Sequence, residues 1–419
     1  MKKRSIVSLL VFALCLFCAL SLSAEKVKLT VWAGDIPDDS PDHAFAKAVV
    51  EGFQAKYPDI QLDYVGLGNN AFKDKLKVTM ASGSGLPDVF QTWGGSVMGG
   101  YADAGMLLDL TKDLKDVPGS AAAASAVTWK GKIYGVAPLF AIAGLFVNEG
   151  IFAANNLKVP ASVEEMEKVC EALKAKGIVP FACGEKDKWP GLALYMYLTN
   201  RFGGDASAKA AAAGHKYPFT SDPFVKAAQT YQKWVKAGYF GATPLGDGYG
   251  DAQQQMYTGK AAMMISGTWL CGNFASKDLT DQKIGFYAFP ALAKGGVGKV
   301  TDLMGMTDIG YAASKTGADK KDAVVKFLKY AMSPEAVSAD PGRIVAVPGV
   351  KAHNPITGQA SAVFTTAKTV TFWWDQDLPP SVTSPLTDTI QTFFLPDTDV
   401  KKSLADYEKI CQEHKADFK

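Results

Sequence analysis

Apolar and polar positions alternate from Lys26 to Trp32, with Lys26, Lys28 and Thr30 set against Val27, Leu29 and Val31, which predicts a half-buried strand. The period then lengthens. Phe45, Val49, Phe53 and Tyr57 recur at helical spacing behind an opening Ser40-Pro41, and Pro58 ends the helix. Ile60, Leu62 and Tyr64 restore the two-residue period. A helix over 72–80, a short strand over 88–90 and a helix over 97–104 follow. Strand and helix thus take turns, the pattern of a parallel sheet wrapped by helices. Trp129 to Gly135 reads as a hairpin turning on Lys130-Gly131-Lys132, and Val136 to Val147 is an apolar run too long for one ordinary strand, read as a strand that leaves one domain and enters another.

A second alternating series begins there. Ser162 with Glu165 forms a capping box for a helix to about Lys176. Helices are predicted over 189–202 and, behind Ser221-Asp222-Pro223, over 224–237. Strands are predicted over 261–266, with a turn at Gly267-Thr268-Trp269, over 284–289 and over 306–313. A helix over 320–331, an extended crossing over 342–350 and helices over 385–394 and 400–414 complete the chain.

The stretch richest in chemistry is the end of the third strand. Gln91, Thr92, Trp93, Gly94 and Gly95 place an amide, a hydroxyl and a large flat ring between a strand's carboxyl end and a helix start, where open α/β sheets bind ligands. The turn holds no nucleophile, base or phosphate-cradling lysine, so it suits a neutral polar molecule. Lys2, Lys3 and Arg4, the apolar run Ile6–Leu20 and small residues at 21–24 read as a secretory signal peptide over 1–24; Leu14 and Phe17 before Cys15 and Cys18 weigh against a lipoprotein anchor. The chain has 44 Lys and Arg against 42 Asp and Glu, and losing Lys2, Lys3 and Arg4 leaves 41 against 42. A nearly neutral mature chain without a basic block offers no footprint for nucleic acid or an anionic membrane. Its length implies two domains, or one large one. Cys170, Cys183, Cys271 and Cys411 would remain; they allow three complete disulfide pairings or four buried thiols, and spacing does not choose.

Lys28–Trp32, Phe53–Ile60, Gly83–Phe90, Gly131–Pro138, Val147–Phe152 and Gly259–Trp269, taken in this order, resemble the extracellular solute-binding proteins of carbohydrate ABC importers, the family of maltose-binding protein. The resemblance implies an α/β, two-lobed periplasmic-binding-protein fold with three inter-lobe crossings, near 138–144, 299–302 and 346–349. It implies an N-terminal lobe of 25–140 plus 302–346 and a C-terminal lobe of 141–301 plus 347–419. A mono- or oligosaccharide would lie between the lobes, with an inner-membrane ABC permease as partner, no cofactor, no metal, a monomeric chain and a periplasmic location. Carried over by position, the sugar contacts would be Asp35, Gln91, Thr92, Trp93, Gly94, Trp189 and Trp269. Ala141 stands where maltose binders carry an acid, and Trp373-Trp374-Asp375 is closer to other sugar binders, which argues against maltose itself.

Tryptophan faces suit the C–H faces of a sugar, and carboxylates and amides suit its hydroxyls. Aromatic residues reach 11% of the chain, and Trp32, Trp93, Trp189, Trp269, Trp373 and Trp374 lie near predicted strand ends or turns, whereas Trp129 and Trp234 read as core. Trp374, Asp375 and Asp308 therefore join the candidate set. Asn148 is read either as a helix cap or as a cleft residue. Asp35, Asp38, Asp39 and Asp42 lack the glycine and bidentate glutamate of an EF-hand loop and read as a solvated acidic loop that lends Asp35 to the site. A secreted glycoside-active enzyme is the competing reading. It needs two carboxylates about 5–9.5 Å apart. No strand end shows an evident pair, the four histidines are scattered, and no Gly-x-Ser-x-Gly elbow occurs.

Overall fold

The computed structural model describes residues 26–39, 43–117, 121–212, 215–340, 342–345, 350–351 and 353–418. The signal peptide read over 1–24 and the crossing expected at 346–349 lie outside the described residues.

The first sheet contains β1 (Val27–Ala33), β2 (Ile60–Gly66) and β3 (Val89–Thr92). The hairpin follows as β4 (Thr128–Trp129) and β5 (Lys132–Ile133), and β6 (Gly135–Val136) returns to the first sheet. β7 (Leu139–Asn148) is the spine of a second sheet with β8 (Val179–Phe181), β9 (Ala261–Gly267) and β10 (Ile284–Tyr287). β11 (Asp302–Thr307), β12 (Gly310–Ala313), β13 (Ile344–Val345) and β14 (Thr369–Phe372) complete the set. The first sheet runs β2-β1-β3-β12-β6 and the second β14-β11-β7-β9-β8, with β10 and β13 also pairing β7.

β1 pairs in parallel with both β2 and β3, so the carboxyl ends of β1 and β3 emerge side by side. The amphipathic helix Ala44–Lys56 turns Phe45, Val49 and Phe53, all fully buried, onto this sheet. All ten residues of β7 are buried, as a strand covered on both faces requires. Helix Asp222–Lys236 stacks Trp234 on Phe181 at 5.7 Å and 8°. The helix predicted from 189 runs Pro190–Ala212 with a break at Gly204, whose φ of 76° is left-handed. The C-terminal helices are Pro380–Thr392 and Val400–Glu413.

The single strand predicted over 306–313 is two strands in different sheets. β11 belongs to the second and β12 to the first, and the change falls at Asp308–Ile309 rather than at 299–302. Two backbone bonds fix it beside the first crossing: the Asp308 amide donates to the Leu139 carbonyl at 3.0 Å, and the Leu139 amide to Ile309 at 3.4 Å. β6 and β7 flank that first crossing at Ala137-Pro138. Ile344, inside the extended stretch expected over 342–350, pairs with Phe140 of β7. Cys170, Cys183, Cys271 and Cys411, the four cysteines among the described residues, are buried free thiols. Among the described residues, no helix is long and apolar enough to cross a membrane.

A cleft between two sheets

The two sheets face each other across a cavity of about 310 Å³. On the first-sheet side, the side-chain carbonyl of the buried Gln91 accepts from the Gly34 amide at 2.8 Å and the Asp35 amide at 3.3 Å, tying the ends of β3 and β1 together. Asp35, Gln91 and Trp93 all line the cavity. Thr92 and Gly94 do not. The Thr92 hydroxyl accepts from the Gly94 amide at 3.0 Å, and Gly94 sits at φ 78°, where a Cβ would also overlap the Ala126 carbonyl. These two residues shape the turn that presents Trp93. Helix Asn69–Ser82 adds Asn69 and Lys73 to the same wall, with the Lys73 ammonium 4.6 Å from the centre of the Trp93 ring.

The opposite wall is aromatic. Trp189 precedes helix Pro190–Ala212, Tyr249 opens helix Tyr249–Tyr257, Trp269 follows β9 and Trp373 follows β14. Ring centres lie 4.5 Å apart for Trp189 and Tyr249, 5.9 Å for Trp189 and Trp269, and 5.2 Å for Trp269 and Trp373. Gly267 permits this packing, since a Cβ there would overlap the Trp269 ring. The indole of Trp269 donates to the Tyr249 hydroxyl at 2.6 Å, which in turn lies 2.7 Å from Ser266 of β9. Trp374, placed in the site by sequence, is instead fully buried: it stacks on Phe224 and donates its indole N–H to Ala208 at 2.9 Å. Its neighbour Trp373 lines the cleft, together with Asp375.

At the crossings, Arg343 collects three carboxylates. Its Nε lies 2.7 Å from Asp308, Nη1 donates to Asp340 at 2.7 Å and Nη2 lies 3.5 Å from Asp35. Asp340 also accepts from the amides of Gly342 and Arg343, both at 2.8 Å, which shapes the backbone carrying the guanidinium. Burial is the largest influence on Asp308, and with Asp35 and Asp340 nearby it outweighs Arg343 and pushes the carboxyl up to about 6. Burial works against the Arg343 charge as well, but its three acids together hold it well above the ordinary range. Two contacts cross the cleft mouth: Asn70 donates to Asp187 at 3.1 Å, and Lys73 lies 3.8 Å from Asp375.

Sequence reading missed Arg343, Lys73, Asn69, Tyr249, Gln253 and His43, all of which line the cavity, and took Trp374 in place of Trp373. Only Tyr249, in a glycine-flanked turn, carried a local hint. Asn148 is a cap, accepting from the Ile151 amide at 3.0 Å. In the acidic loop, Asp38 meets His43 and Asp39 meets Lys47; Asp42 lies outside the described residues.

The bacterial extracellular solute-binding protein model matches residues 37–338. A chitin oligosaccharide binding protein superposes with a TM-score of 0.85 at 26% identity, covering 94% of this chain and 100% of that one. A structure from work on xylan utilization by the thermophilic bacterium Caldanaerobius polysaccharolyticus gives a TM-score of 0.84 at 26% identity, over 91% of this chain and 99% of the other. The multiple sugar-binding protein of Streptococcus mutans is 27% identical over 251 residues, 56% of each chain. This chain spans about half the length of the curated relatives it matches. The fold is thus the two-lobed one of sugar-binding receptors, and with a family model matching well over half its length the chain belongs to the bacterial extracellular solute-binding proteins.

Proposed function

We propose that this chain captures an uncharged mono- or oligosaccharide between its lobes and delivers it to an inner-membrane ABC permease, as a monomer in the periplasm and without altering the sugar. The observation that carries this reading is the asymmetry of the cleft. One wall is a continuous aromatic surface, Trp189, Tyr249, Trp269 and Trp373, and the other sets the single ring of Trp93 among polar side chains, Asp35, Asn69 and Gln91. A pyranose has the matching asymmetry, with C–H patches on its faces and hydroxyls at its edge. Burying the first against indole is an apolar gain, and pairing the second with amides and carboxylates selects among stereoisomers, since an unpaired buried hydroxyl costs about 1–3 kcal/mol. Solved relatives associated with xylan and chitin oligosaccharides point to β-linked oligomers as the first sugars to try.

Closure follows from two-sided contact. Residues 26–137 and about 309–340 would form one lobe and most of the remainder the other, hinging at the crossings. A sugar touching Gln91 and Trp93 on one side and Trp189 and Trp269 on the other binds the closed state better than the open one and shifts the population towards it. Calorimetry across a panel of xylo- and chito-oligosaccharides, with tryptophan emission and product analysis, tests the proposal. Saturable binding with intact sugar supports it. Null heats across the panel refute it, and released product favours the enzyme reading.

A further inference from the structure

Outside the cleft lining, the second lobe holds a largely buried cluster of three metal-competent side chains. Glu408 and Cys411 stand three residues apart on helix Val400–Glu413 and so share one face. His215, at a left-handed φ of 46°, meets them from the segment that precedes helix Asp222–Lys236. One ligand atom from each, a ring nitrogen, a carboxylate oxygen and a thiol sulfur, lie within 4.8 Å of one another. None of the three lines the cleft.

A hydrogen bond explains part of this arrangement. His215 Nε2 lies 2.8 Å from Glu408, which also accepts from the Phe219 amide at 2.8 Å and from Gln412 at 2.6 Å. That network leaves two things unexplained. His215 is 5% exposed, yet its Nδ1 is buried with no hydrogen-bond partner among the described residues. The ring is shielded by Phe418 at 4.7 Å and Phe219 at 6.0 Å, so water does not reach it easily. Cys411, fully buried, brings a sulfur to the same place without a disulfide. A buried imidazole with an idle nitrogen beside a carboxylate and a thiol is the donor set of a zinc-type site.

We propose that His215, Glu408 and Cys411 bind one divalent cation of the zinc class and thereby tie the segment ahead of helix Asp222–Lys236 to the C-terminal helix. Tetrahedral coordination sets ligand atoms about 3.3–3.7 Å apart, so the His–Glu pair opens slightly and the sulfur moves inward. The Cys411 S–H bond breaks as the metal–sulfur bond forms, and its proton leaves to solvent. His215 binds as the neutral ring, the proton on its ligating nitrogen passing to the other one, so one proton is released overall. Because the thiol must lose its proton to bind, binding weakens at low pH.

Cobalt(II) is the probe. The metal-stripped mature protein, titrated at pH 7.5, is expected to bind one equivalent, with a thiolate-to-cobalt absorption band in the near ultraviolet that zinc abolishes by competition. C411S removes the band, and H215A weakens binding at least ~100-fold; H215Q replaces it if the alanine variant fails to fold, judged by circular dichroism. Zinc at a hundredfold its dissociation constant raises the melting temperature by roughly 2–4 °C. No band at millimolar cobalt, or a band that survives C411S, overturns the proposal. Sugar affinity, read separately, stays within twofold with and without zinc, so neither reading depends on the other.

Discussion

Asp308→Asn tests the charge arrangement at the crossings directly. The folded carboxyl stands at about 6 against an ordinary 3.8. A carboxyl raised on folding prefers its proton in the native state, so between those two values the folded chain holds more protons than the unfolded one. Stability from this group is therefore greatest below pH 4 and declines as the pH rises towards 6. Two pH units correspond to about 3 kcal/mol. Asparagine keeps the shape and cannot ionise, and Arg343 keeps Asp35 and Asp340. Urea denaturation of both proteins from pH 3.5 to 8 gives a difference curve in which other carboxyls cancel. Relative to wild type, the variant should gain up to about 3 kcal/mol between pH 4 and 6 and hold that gain at neutrality. A flat difference curve, or a variant more than about 1 kcal/mol less stable at pH 7, refutes the claim that burial and like charge outweigh Arg343.

Trp269→Ala should weaken sugar binding at least tenfold, about 1.4 kcal/mol, with the melting curve still cooperative; unchanged affinity in calorimetry counts against its place in the site. Trp374→Ala should do the opposite, costing about 3–5 kcal/mol in denaturant titrations while the folded fraction binds sugar as before. Gly94→Ala adds a Cβ to a left-handed residue facing the Ala126 carbonyl and should destabilise the chain by roughly 1–3 kcal/mol. Asn70→Ala removes a bond to Asp187 across the cleft mouth and should enlarge the radius of gyration of the sugar-free protein in solution scattering.

The frame was legible because it is written in local periods. β1, β2 and the helix between them follow from alternation and then 3.6-residue spacing over Val27–Tyr64. Asp35, Gln91, Trp93, Trp189 and Trp269 were carried over by position from the family resemblance, and all five line the cavity. Trp373 and Trp374 were not separable, since two adjacent indoles carry no period. The short helix Trp374–Asp377 decides between them by turning Trp374 onto Phe224. Arg343 was invisible for another reason: its meaning comes from acids at 35, 308 and 340, which only the folded chain assembles. The run 306–313 looked continuous because a single acid is all that interrupts it, and that residue, the buried Asp308, is where the chain changes sheets.

The seam joining the lobes is laced twice, by the paired amides of Leu139 with Asp308 and Ile309 and by the Arg343 guanidinium on Asp308. In the proposed closure, three strands of chain so bound would turn as one axle, which favours rotation over sliding. Because that axle is held by charges shut away from solvent, ordinary ionic strength will not loosen it. Acidity acts the other way, since the proton that Asp308 takes up sits on the pivot itself and relieves its crowding with Asp35 and Asp340.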